Sequence, residues 1–185
     1  MGKELNWCII TALIEDCDKK IACEGISRPV YSAVTYGENG EKSPLSFTFS
    51  SLSQIRSNVG LKPGDIVKFT GRIFEFPSDN LMFYPGEVLS VDSCDDSEDY
   101  LARTLILKEM CLNSPNIVIV EGIKTDGNGG ASIIKVKKSE SVRGEVRKVS
   151  HLVVNHEKCD ISEKTRVLFE GDLSPKGLVG RMWKR

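Results

Sequence analysis

The sequence has no apolar run approaching the roughly 18 residues that a helical membrane span needs, so no helical span is expected within it. Its first ten residues, MGKELNWCII, carry one Lys and no extended apolar stretch before a small-residue cleavage site, and no secretory signal is expected. The cysteines at 8, 17, 23, 94, 111 and 159 form no C-x-x-C pair and no dense framework. That spacing implies reduced thiols in an intracellular protein, with Cys8 serving as a small apolar packing residue.

Enzyme signatures are also missing. GNGG at 127–130 is not followed by the Gly-Lys-Ser/Thr of a phosphate loop and reads as a hairpin turn. The apolar strand ending in Glu121 has no Asp-x-Asp after it to complete a metal site. His151, His156 and Cys159 lack a fourth ligand at any common zinc spacing. The expectation is a non-enzymatic protein with no metal and no cofactor.

Net charge is almost absent, at −1, but it is unevenly distributed. Residues 1–100 hold nine Lys and Arg against sixteen Asp and Glu, a balance of −7, and residues 101–185 hold sixteen against ten, a balance of +6. Two regions with different electrostatic tasks follow from that split.

What is present is β pattern. Segments 6–15, 28–38 and 43–50 are rich in β-branched and aromatic residues, and Asn39-Gly40 marks a hairpin between the second and third. Leu52, Ile55 and Val59 fall at helical spacing before Gly60. Strands at 65–76 and 81–91 follow. Three strands, a helix and two strands is the element order of the five-stranded OB-fold barrel. The chain is therefore expected to be mainly β, with an OB-fold over 1–92. An acidic, solvated linker and an amphipathic helix should occupy 93–115, and a basic β-rich unit 116–185. Val67-x-Phe69-x-Gly71-x-Ile73 is echoed by Val167-x-Phe169-x-Gly171-x-Leu173. A second barrel-like unit is thus expected, lacking one strand because twelve residues follow Leu173.

Strand parity nominates the site. Along 66–76 one face carries Val67, Phe69, Gly71, Ile73 and Glu75, and the other Ile66, Lys68, Thr70, Arg72, Phe74 and Phe76. Cations interleaved with rings suit single-stranded nucleic acid, whose phosphates need charge and whose bases stack. Phe47 and Phe49 share a face on the third strand, although small barrels also fill their interior with such rings. A second basic signal is the Lys135, Lys137, Lys138, Arg143, Arg147 and Lys148 group. It reads as a phosphate track or as a lysine-protected edge strand. Tyr100, Leu101, Leu105 and Leu112 recur at near-helical spacing, either plugging a barrel end or docking a partner subunit.

The stretches PVYSAVTYGENGEKSPLSFTFSSLSQI and LKPGDIVKFTGRI resemble the OB-fold domains of replication protein A subunits and telomere-end-binding proteins, over about residues 5–92. The resemblance implies single-stranded DNA binding in preference to RNA, or assembly with protein subunits of a telomere, replication or repair complex in the nucleus. It places stacking at Phe47, Phe49, Phe74 and Phe76 and phosphate contacts at Lys68 and Arg72. The acidic first half departs from that pattern and favours an architectural contribution there.

Overall fold

The computed structural model describes residues 5–23, 26–75, 81–95, 97–127, 129–136 and 150–185. In chain order they form β1 (Asn6–Cys23), β2 (Ile26–Tyr36), β3 (Lys42–Phe47), α1 (Leu52–Ser57), β4 (Ile66–Glu75) and β5 (Leu81–Asp92). Then come α2 (Tyr100–Asn113), β6 (Ile117–Asp126), β7 (Ala131–Val136), β8 (Ser150–His156), β9 (Arg166–Ser174) and β10 (Gly177–Lys184). The protein is mainly β and OB-like.

Strand pairing closes twice. β1 pairs with β2, β2 with β3, β3 with β5, β5 with β4, and β4 returns to β1. The second half repeats the circuit as β6, β7, β8, β10, β9 and back to β6. In each ring the third and fifth strands run parallel and every other pair runs antiparallel. No strand is missing from the second ring, contrary to the expectation from chain length. The two residues Pro175 and Lys176 turn the chain directly from β9 into β10, and Gly177 supplies the positive φ of 105°. A hairpin that tight leaves enough chain for an eight-residue strand.

The rings join through antiparallel pairing of β1 with β6, in which Cys8 faces Val118. Cys8 also pairs with Gly71, and Val118 with Gly171. The two echoed heptads are therefore the fourth strands of the two rings, set on either side of the joint. Their glycines have one job: a Cβ at Gly71 would run into the Tyr84 carbonyl, and one at Gly171 into the Val179 carbonyl. Each allows the fifth strand's backbone to cross closely. Cys8, Ile10, Phe69, Val118, Val120 and Phe169 are buried in one cluster that continues through both rings. Burial pushes the Cys8 thiol up to about 12, although a hydrogen bond with the Gly71 backbone works the other way, so this sulfur packs rather than reacts.

The described residues of the acidic joint after β5 are mostly exposed, and the joint is anchored to the first ring. Arg103 of α2 is fully buried, and its guanidinium donates to the carbonyls of Gly64 (2.9 Å) and Asp92 (2.6 Å) and to the Glu98 carboxylate (3.0 Å). Asp99 caps α2 by accepting from the Ala102 N–H at 2.7 Å. At the other end, buried Asn116 accepts from the Thr11 N–H (2.8 Å) and donates to Thr35 Oγ1 (2.8 Å), pinning the entry to β6 against β1 and β2. Asn116→Ala leaves the buried Thr11 N–H without its acceptor, while Thr35 Oγ1 keeps the bond it donates to the Thr11 carbonyl, and should cost about 1–3 kcal/mol in a denaturant melt.

Candidate nucleic-acid interface

The parity expected of β4 is present. Val67, Phe69 and Ile73 are buried in the core, while Lys68, Thr70 and Arg72 are partly exposed on the opposite face. Ile66 begins that outer face and is nonetheless buried, because α2 packs over it with Leu13, Val34, Leu107 and Cys111. Lys68 Nζ donates to Ser114 Oγ at 2.9 Å, which holds the ammonium at the foot of α2. Across β5, Lys68 faces Ser90, Thr70 faces Glu87 and Arg72 faces Tyr84. Two carboxylates of β5 stand opposite β4, Glu87 across from Thr70 and Asp92 across from Ile66.

The aromatic part of the nominated site is corrected in two places. Phe47 is 0 % exposed and Phe49 1 % exposed, and neither can stack a base. Phe47 lies flat against Tyr31 (4.8 Å between centroids, 11° between planes) and tilts against Phe69 at 5.3 Å. Ring closure turns this face of β3 inward, and the rings fill the interior of the first circuit. The Phe74 side chain and all of Phe76 lie outside the described residues.

In the second ring, Lys135 is half-buried on the outer face of β7, opposite exposed His151 on β8. Ile133 and Val153 are the next pair on that face, and Val153 is exposed. The hairpin face is thus apolar at one end and basic where the chain leaves for residues 137–149. Lys137, Lys138, Arg143, Arg147 and Lys148 belong to that segment and lie outside the described residues.

The partner-binding residues divide. Leu101, Leu105 and Leu112 are exposed, with Leu101 at 67 % and Leu105 at 61 %. α2 packs on the first ring through the opposite side, Arg103, Thr104, Leu107 and Cys111, so the leucine side plugs nothing. Tyr100 is half-exposed but engaged: its hydroxyl donates to the Glu15 carboxylate and accepts from Lys42 Nζ (2.8 Å). It ties the start of α2 to β1 and β3 and is not an open docking group.

A cleft of about 740 Å³ lies between the β2–β3 loop and the second ring. Its lining includes Glu38, Glu41, Glu157, Glu170 and Asp172 against Arg181, a balance that repels phosphate. Asp172 accepts from the Glu38 N–H at 2.7 Å, and burial raises its pKa despite that bond and one from the Leu173 N–H. The chain's two tryptophans were not singled out by the sequence pattern. Trp183 lines the acidic cleft, whereas Trp7 stands on the outer face of β1 beside the β4 cations. Both faces of β1 are apolar around Trp7, so alternation alone carried no signal there.

No protein-family model matches this chain, and no curated protein matches it. Among solved structures, it is similar to the Ifi202 HINa domain in complex with 20-bp double-stranded DNA. The identity is 11 %, coverage is 96 % of this chain and 94 % of that one, and the TM-score is 0.27. A structure described as "Structural mimicry for functional antagonism" is similar at 10 % identity, 96 % and 91 % coverage and a TM-score of 0.28. Overlap at that level assigns no ligand and no residue role to this chain.

Proposed function

We propose that this protein binds single-stranded DNA, in preference to RNA, as a non-enzymatic subunit of a telomere, replication or repair complex. The observation that carries the reading is the accessible face of β4, where Lys68, Thr70 and Arg72 stand out from the first ring while Val67, Phe69 and Ile73 fill it. On the second ring Lys135 of β7 is a further partly exposed cation, and the sequence of 137–149 carries five more. Phosphate neutralisation supplies the affinity, with little reading of base sequence.

A labelled oligo(dT) titrated by fluorescence anisotropy tests this. If about six phosphates are neutralised, raising salt from roughly 50 to 200 mM should weaken binding about a hundredfold or more. Absence of binding at the lower salt removes the proposal.

The open leucine side of α2 favours a second reading, an OB-like interaction subunit that makes no nucleic-acid contact. Leu101→Asp with Leu105→Asp separates the two. Both side chains are exposed, so unfolding free energy should change by no more than about 0.5 kcal/mol per site. Under the first reading the oligonucleotide Kd is also unchanged. Under the second, wild type binds no oligonucleotide and the variant loses the partner subunit in reconstitution.

A further inference from the structure

Trp7 occupies the seam where the two rings meet. The pairs Cys8–Gly71 and Trp7–Ile119 set it in a cross-strand row between Arg72 of β4 and Ile119 of β6. The next row holds Thr70, Ile9 and Ile117 on the same face. Neighbouring side chains in such rows stand about 5 Å apart.

The indole is 39 % exposed, although its strand is hydrogen-bonded on both sides. An aromatic ring is therefore presented from a strand paired on both sides rather than from a loop. Ile9, Ile117 and Ile119 continue the partly exposed apolar ground beside it. The cations of β4 run along one flank. In the adjoining row Glu121, opposite Leu5, is buried and ion-paired with Arg166 and Arg185, and the exposed acids stand at the margins. Glu87 faces Thr70 from beyond β4, and Glu170 faces Ile119 from beyond β6.

A flat ring on a paired sheet, with a guanidinium in its own row and an ammonium two rows further along β4, is complementary to a base with nearby phosphates. A purely apolar protein surface would match the isoleucines but would cover the Lys68 and Arg72 charges without supplying an anion. We propose that Trp7 stacks on a base of bound single-stranded nucleic acid, with Lys68 and Arg72 at the adjoining phosphates. This rests on the nucleic-acid reading above and gives it the stacking group that buried Phe47 and Phe49 do not provide.

The chain has two tryptophans, so Trp183→Phe leaves Trp7 as the sole indole reporter. Oligo(dT) should quench its emission along the same saturation curve that anisotropy traces. Trp7→Ala should raise the Kd about 5- to 100-fold, and Trp7→Phe should recover most of that loss. Binding by anisotropy with unchanged Trp7 emission overturns the assignment of Trp7 while leaving nucleic-acid binding intact. Wild-type protein that binds no oligonucleotide overturns both.

Discussion

Phe47→Ala should lower the unfolding free energy by about 3–5 kcal/mol, as expected for deleting a fully buried phenyl group from a packed interior. The melting temperature should fall by roughly 6–20 °C, at about 2–4 °C per kcal/mol for a chain of this size. The loss has identifiable parts: a stacked contact with Tyr31, a tilted contact with Phe69 and an edge contact with Phe49 at 6.0 Å. Measured well below its melting point, the variant should bind oligonucleotide as wild type does. A stacking role would give the reverse result, with stability kept and affinity lost. Phe47→Leu, which refills much of the volume, should recover over half of the stability.

Arg103→Met should be the next most damaging change, at about 2–4 kcal/mol in the same melt. The buried guanidinium serves the carbonyls of Gly64 and Asp92, and removing it leaves two acceptors unmatched at about 1–3 kcal/mol each. The carboxylates of Asp92 and Glu98 are about half and one-third exposed, so water takes over much of their share of the ion pairs. Arg103→Lys should rescue little, because an ammonium cannot reproduce the fork that reaches both backbone segments. Loosening this anchor frees the turn before β4 and the end of β5 together. An effect below 1 kcal/mol would show that the α2 junction is held some other way.

These two residues mark where sequence was and was not informative. β4 was readable because its two faces differ chemically: Val67, Phe69 and Ile73 against Lys68, Thr70 and Arg72. On β3 and just beyond it, Leu45, Phe47 and Phe49 alternate with Ser46 and Thr48, a pattern that fits rings turned inward or outward equally. Closure of the circuit decides between them. On β1 alternation fails for another reason: the strand serves both rings, so Trp7 and Ile9 are as apolar as Cys8 and Ile10. α2 carries apolar residues around most of its circumference, and its buried side was settled by an arginine. The partners of that side, Gly64 for Arg103 and Leu13, Val34 and Ile66 for Leu107 and Cys111, are distant in sequence. The second ring was half visible, because its fourth strand repeats the first ring's heptad while its fifth follows a turn too short to notice.

The accessible cationic strand of the first ring is tested most directly by reversing its charge. Lys68→Glu with Arg72→Glu exchanges two partly exposed groups and should leave the melting temperature within a few degrees of wild type. In an anisotropy titration at low salt the oligo(dT) Kd should rise at least a hundredfold, and the salt slope should flatten. An unchanged Kd and slope in a folded variant would contradict the account.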